Sequence, residues 1–228
     1  MPPDTTKTVA SPGRLLITAG PTQEPIDAVR FIGNRSSGRL GVALADHAAS
    51  LGWNVRLLLG PTCLSNSDSR VELIRFRTTA DLQAALEHHL PSCDVLVMAA
   101  AVADYRPRIT DQMLHGKHRR KAEGMSIELE ATPDLLAGCA ARRSEAQTLV
   151  GFALEPRDQM IASARAKLTR KSLDLIVANP LETMDDACIE AIVLTSRGHE
   201  HRTAGAIPKT AFAPWLMGVI AEYRHAKT

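Results

Sequence analysis

The sequence predicts an α/β fold: a mostly parallel sheet, doubly wound in the Rossmann-like manner, with helices on both faces. Three observations predict it. Short apolar runs alternate with stretches of helical period along nearly the whole chain, the pattern of parallel strands joined by crossover helices. Runs such as Val95-Leu-Val-Met98 and Leu175-Ile-Val177 are apolar at every position, as strands covered on both faces are. Small residues or prolines follow the runs at Thr18-Ala-Gly-Pro-Thr22, Gly60-Pro61 and Ala99-Ala-Ala101, where the backbone must turn. No repeat, low-complexity segment or linker divides the pattern. A leader without fixed structure over residues 1–13 and a single domain over 14–228 are expected.

Leu15 to Ile17 reads as the first strand, ended by the Gly20-Pro21 turn and followed by a long polar loop. Asn34-Arg-Ser-Ser-Gly38 then leads into a helix whose Leu40, Leu44, Ala48 and Leu51 share one face. Ser36 and Ser37 fall where N-caps fall, beside unpaired N–H groups and the positive dipole end. A strand, a small-residue turn and a capped helix start make an anion site, here flanked by Arg30 and Arg35; the serines equally suit plain capping. Asn54 to Leu59 is the second strand and Val71 to Phe76 the third. Thr78-Thr-Ala-Asp81 caps a helix through about Leu90, and Asp94 onward is a strand passing into the alanine-rich turn. Arg106 to Gly124 is basic and without a pattern. Ser126 to Glu130 resumes as a strand, and Thr132-Pro-Asp134 starts a helix with Thr at the N-cap and Pro in the first turn. Thr148 to Leu154 is a strand, Asp158 to Arg170 a helix, Leu173 to Ala178 a strand and Ile189 to Thr195 another. A turn at Arg197-Gly198 and a helix from about Lys209 to His225 close the chain.

Composition removes several classes of function. With 228 residues and 45% hydrophobic content the chain can bury a core, and a formal charge of +2 lacks the overall basic footprint of a nucleic-acid binder. No apolar run approaches the roughly 20 residues a membrane helix needs. The first residues contain no hydrophobic stretch of signal-peptide type, so a cytoplasmic location is expected. The four cysteines, Cys63, Cys93, Cys139 and Cys188, form no Cys-x-x-Cys pair, which points to buried free thiols rather than zinc or redox chemistry.

In a doubly wound sheet ligands bind beyond the carboxyl ends of the strands. That rule directs attention past Ile17, Met98, Val150 and Val177. The glycine-rich dinucleotide fingerprint is absent from the first turn. Ala99 to Ala101 allow close approach to the backbone or pack a helix, and Asp104 suits a ribose hydroxyl or a metal ion. Phe152 beside Gly151 suits a stacked base or the core. Lys167 and Lys171, four apart on one helix face, reach a phosphate or base edge, or complement the helix C-terminus. Asn179 ends a strand with a polar side chain. Gly116-Lys-His-Arg-Arg-Lys121 reads as a cationic flap able to close on polyphosphate, or as solvated surface.

Ile17-Thr-Ala-Gly-Pro-Thr-Gln-Glu-Pro-Ile-Asp27, Val29-Arg-Phe-Ile32, Asn34-Arg-Ser-Ser-Gly38 and Ala99-Ala-Ala-Val-Ala-Asp-Tyr105 together closely resemble phosphopantothenate–cysteine ligases of coenzyme A biosynthesis, in their bacterial, CTP-using form. Lys117-His-Arg-Arg120, Thr132-Pro-Asp134, Gly151-Phe-Ala153 and Leu173 to Asn179 add order and spacing, and the resemblance covers residues 14–226. It implies that 4′-phosphopantothenate attacks the α-phosphate of CTP, and that cysteine then displaces CMP from the acyl-cytidylate. The family pattern makes Asn34 and Lys117 catalytic. Gly20, Ser36, Ser37, Ala100, Asp104, Phe152, Lys167 and Lys171 would hold the nucleotide, and Arg30, Asn34, Ala101 and Asn179 the acid and its acyl-cytidylate. Mg²⁺ is implied with the triphosphate, without assigned protein ligands. So are a homodimer and a flavin-dependent decarboxylase, fused or separate, and no nucleic-acid or membrane partner. The chain departs from the family at Leu154 and Pro156 and in the flap, where Arg119 and Arg120 replace lysines. A nicotinamide-dependent reductase would need the missing fingerprint and a Lys four residues after Tyr105, where Ile109 stands. The remaining alternative is a nucleotide-binding module that performs no chemistry.

Overall fold

The structure, a computed structural model, describes residues 12–108, 116, 124–184 and 186–226. The principal strands are β1 (Arg14–Ala19), β2 (Asn54–Leu59), β3 (Glu72–Arg75), β4 (Val95–Met98), β5 (Thr148–Glu155), β6 (Leu175–Pro180), β7 (Ile192–Thr195) and β8 (Glu200–Arg202). They form one sheet in the order β3-β2-β1-β4-β5-β6-β7-β8. The first six in that order are parallel; β7 and β8 are antiparallel additions. The order reverses direction between β1 and β4, the crevice where ligands bind in doubly wound sheets.

Strand side chains alternate between two cores, one on each face. Leu15, Ile17, Val55, Leu57, Val95 and Val97 pack with α1 (Arg39–Ser50) and the long C-terminal helix α5 (Lys209–His225). Leu16, Leu58, Leu96 and Leu149 pack with α2 (Thr79–His89), α3 (Leu135–Arg142) and α4 (Met160–Arg170). Close approach of α1 depends on Gly41, where a Cβ would fall 2.3 Å from that of Ala19. No helix among the described residues is long and apolar enough to cross a membrane.

Several boundaries differ from the expectation, each for a local reason. The long loop after β1 contains a hairpin, Gln23–Pro25 against Phe31–Gly33. Arg106 and Pro107 are not in a patternless stretch. Tyr105–Pro107 pairs with Leu129–Ala131, and Arg106 bonds Glu130 at 2.8 Å. The strand expected over Ser126 to Glu130 is correspondingly shorter. The apolar run Ile189 to Thr195 is split: Cys188–Ile189 pairs with Ile207–Pro208, while β7 joins the main sheet. Helix α3 is capped by Asp134, whose carboxylate accepts from Ala137 N–H at 3.1 Å, rather than by Thr132. Of the cysteines only Cys93 and Cys139 are buried; Cys63 is exposed and Cys188 half-buried, and all four are free. Burial pushes the Cys93 thiol up to about 12 and that of Cys139 to about 11, which keeps both unreactive. Residues 1–11 lie outside the described residues. At Gly13 the carbonyl accepts from Asn54 N–H at 3.0 Å.

Candidate active site

Beyond Ala19 and Met98 the chain does not diverge into two loose loops. Thr18-Ala-Gly-Pro-Thr22 and the alanine-rich turn remain stitched together past the end of the sheet. Ala99 N–H donates to the Thr18 carbonyl, Ala101 N–H to the Gly20 carbonyl and Thr22 N–H to the Ala101 carbonyl. The buried hydroxyls of Thr18 and Thr22 accept from the N–H groups of Ala100 and Ala103 at 3.1 and 3.0 Å. Gly20 serves this junction at φ +78°, where a Cβ would press on Gly60. Gly20 is not among the residues that line the cleft.

Above the junction lies a cleft of about 440 Å³ that straddles the carboxyl edge of the sheet. One wing, on the α1 and α5 side, is lined by Ser36, Ser37, Phe152, Asn179, Met184 and Lys209. The other, on the α3 and α4 side, is lined by Ala100, Ala101, Asp104, Asp134, Lys167 and Lys171. The structure thus brings together nine of the residues singled out from sequence. Phe152 also packs against the α1–α5 core, as its core reading expects, and it lines the cleft as well. The expected capping serines do not cap. Gly38, at φ +74°, is the N-cap of α1 and has no side chain with which to cap it. Ser37 Oγ only approaches Arg39 N–H, at 3.5 Å. The serines line the mouth while the helix end stays open toward the cleft.

Electrostatics in the second wing come from two ion pairs. Lys167 bonds Glu155, and Lys171 bonds Asp134 at 2.8 Å. The Lys167 ammonium holds the Glu155 carboxyl below its ordinary range. Burial pushes Asp134 upward, but Lys171 and the Ala137 N–H outweigh it and the net shift is downward. Depressed carboxyls of this kind stabilise the fold above their ordinary pKa and lose that contribution as pH falls through the lowered value. Asp104, by contrast, is exposed, and its carboxylate accepts no hydrogen bond among the described residues.

Asn34 reaches the rim without lining the cavity. Its Nδ2 donates to the Val102 carbonyl at 2.9 Å, and the second amide proton remains for a ligand. Arg30 is held away from the lining by Asp27, whose buried carboxylate takes Nε at 3.0 Å and a terminal nitrogen at 2.7 Å. The structure therefore does not place Arg30 on the cleft wall. Asn179 donates to Thr183 Oγ1 at 2.8 Å, which in turn donates to the Pro180 carbonyl at 2.7 Å. Lys117 lies outside the described residues; its neighbour Gly116 accepts from Ala28 N–H at 3.1 Å.

Sequence reasoning missed Arg39 and Lys209, both in the lining. A signal for them existed. Each is the first residue of a helix, where a cation opposes the positive dipole end, and a local rule broken twice beside one cavity marks an anion site. Lys209 Nζ donates to the Asp186 carbonyl at 2.5 Å, tying the loop after β6 to α5.

Among the described residues no group of three His, Cys, Asp or Glu side chains forms a metal cage. A Mg²⁺ that arrives on a triphosphate keeps several waters and needs only one or two protein carboxylates, and Asp104 fits that part.

Residues 11–223 match the family described as the DNA/pantothenate metabolism flavoprotein C-terminal domain. The chain is 46% identical over 169 residues to a cysteine/cysteine sulfinic acid decarboxylase of an unknown prokaryotic organism, covering 74% of this chain and 46% of that protein. It is 45% identical over 175 residues to the coenzyme A biosynthesis bifunctional protein CoaBC of Mycobacterium bovis, covering 73% of this chain and 41% of that protein. The solved C-terminal domain of a coenzyme A biosynthesis bifunctional protein CoaBC superposes with a TM-score of 0.79 at 33% identity, over 93% of this chain and 95% of that one. The chain spans less than half the length of the curated relatives named here, and nearly all of the solved domain. The resemblance read from the motifs is borne out, and the chain belongs to the family of DNA/pantothenate metabolism flavoprotein C-terminal domains.

Proposed function

We propose that the chain is a CTP-dependent ligase that joins 4′-phosphopantothenate to L-cysteine in coenzyme A biosynthesis, with 14–228 as its catalytic domain. The observation that carries this reading is the two-winged cleft at the β1–β4 switch point. It has an open helix end in one wing, and paired lysines with an Asp104 unengaged among the described residues in the other. Such a cleft suits an elongated ligand with a polyphosphate centre.

A carboxylate is a poor acyl donor until one of its oxygens joins a good leaving group. Attack of the pantothenate carboxylate on the α-phosphorus forms the acyl–phosphate bond and expels pyrophosphate. The charge that builds on the leaving group is met by Lys167, Lys171, the N-terminus of α1 and, as the family pattern implies, Lys117. Mg²⁺, when bound with the triphosphate, supplies further charge neutralisation, with Asp104 as the side chain to hold it or the ribose. The second amide proton of Asn34 then meets the oxyanion that forms as the cysteine amine adds to the acyl carbon, and collapse expels CMP. The lysines are already held by Glu155 and Asp134, so little ordering cost falls on binding.

Formation of phosphopantothenoylcysteine and CMP from the three substrates tests the reading; nucleotide binding without product would leave a binding module. Lys117→Gln should slow the first half-reaction by about 2–4 kcal/mol of barrier, as loss of an electrostatic donor does. A wild-type burst of pyrophosphate from that variant would remove Lys117 from the mechanism. We further propose a homodimer, and a flavin-dependent decarboxylase acting next on the product, fused or as a separate protein. The bifunctional naming of the CoaBC relatives supports the second.

A further inference from the structure

The Thr22-Gln-Glu-Pro-Ile-Asp27 stretch carries much of the family resemblance, yet none of its side chains lines the cleft. Its first residue, Thr22, bonds the alanine-rich turn instead. Buried Thr22 accepts the Ala103 N–H on its Oγ1 at 3.0 Å. Behind it, Thr79 Oγ1 stands 3.5 Å from Thr22 Oγ1 and donates to Glu24 at 2.7 Å. The same Glu24 oxygen accepts Thr79 N–H at 2.8 Å, so a buried carboxylate sits on the first residue of α2 and anchors the chain of hydroxyls. From the opposite side Thr132 Oγ1 donates to the Ala103 carbonyl at 2.5 Å, and Thr132 N–H to the Asp104 carbonyl at 2.9 Å. The main chain on either side of the Ala103–Asp104 peptide is therefore clamped from two directions, while the Asp104 carboxylate projects unengaged among the described residues.

We infer that Thr22, backed by Thr79 and Glu24, is a positioning residue for nucleotide binding: it fixes the backbone from which Asp104 reaches the ligand. This rests on the reading of the cleft as a nucleotide site. Buried hydroxyls that accept main-chain N–H groups are costly to remove, because the N–H is left without a partner. Asp104 would then sample positions its carboxylate cannot use.

The test measures the Kd of the full chain for CTP with Mg²⁺ by calorimetry. Thr22→Val should weaken binding about tenfold, whereas Thr22→Ser, which keeps the hydroxyl, should stay within about twofold of wild type. A merely structural loss would lower the melting temperature in both backgrounds, so the deciding measurement is the cycle with Asp104→Ala. If Thr22 acts through Asp104, adding Thr22→Val to Asp104→Ala weakens binding no further. The same fold-loss in both backgrounds, or no loss in either, overturns the inference. Should Thr22→Val not fold, Thr132→Val breaks the clamp from the carbonyl side and enters the same cycle with the same two outcomes. Wild-type chain that fails to bind CTP would sink this inference and the nucleotide site together. Binding without pyrophosphate release would strike only the proposed reaction.

Discussion

Asn34→Asp should still release pyrophosphate from CTP and phosphopantothenate, and lose cysteine transfer by a factor on the order of 10²–10³, the usual effect of removing an oxyanion donor. The geometry explains why the substitution is severe despite its small size. Asn34 Nδ2 donates to the Val102 carbonyl at 2.9 Å, so a carboxylate there sets oxygen against oxygen. It also replaces the free amide proton with negative charge, which repels the oxyanion formed when the amine adds. Quenched-flow analysis should find the acyl-cytidylate accumulating in the variant. Wild-type ligation would remove Asn34 from the second half-reaction.

Asp174→Ala should cost about 3–5 kcal/mol of stability, as breaking a buried ion pair does. Asp174 is nearly buried at the start of β6, where its carboxylate meets Arg143 and accepts from Leu149 N–H at 2.9 Å and from Tyr223 hydroxyl at 2.8 Å. It thereby ties β5, α5 and the α3–β5 connection together at the end of the sheet opposite the cleft. Burial raises the Tyr223 phenol, and loss of Asp174 leaves its hydroxyl only Ser196 Oγ, at 2.9 Å, while Arg143 and the Leu149 N–H lose their acceptor. Urea unfolding should show the loss, while ligation per folded molecule stays near wild type. A loss below about 1 kcal/mol would show that the cluster is dispensable.

How much of this was legible in the sequence depends on the range of the interaction. Strands buried on both faces declare themselves through unbroken apolar runs, and β1, β2, β4 and β6 appear close to where they were expected. Helix ends were harder, because several small polar residues stand in a row. Ser36, Ser37 and Gly38 all suit an N-cap, and only the backbone decides that Gly38 takes it, at φ +74°. The same ambiguity put Thr132 where Asp134 stands. Hairpins at Gln23–Pro25 and Tyr105–Pro107 are three-residue strands, too short for a period to show. Strand-end logic found the cleft's floor at Ala100, Ala101, Phe152 and Asn179. It did not find the partners. Lys167 and Lys171 look like helix-end cations until Glu155, 12 residues away, and Asp134, 37 residues away, are seen to hold them. Nor does the sequence show that Arg30 is paired with Asp27, three residues earlier, whose carboxylate is buried.

The measurement that bears most directly on the cleft as a site of acid activation is pyrophosphate release from CTP, followed with cysteine withheld. The chain should release pyrophosphate only when phosphopantothenate is present, and faster from CTP than from ATP. Release that ignores phosphopantothenate, or none until cysteine is added, would contradict activation of the acid as the first chemical step.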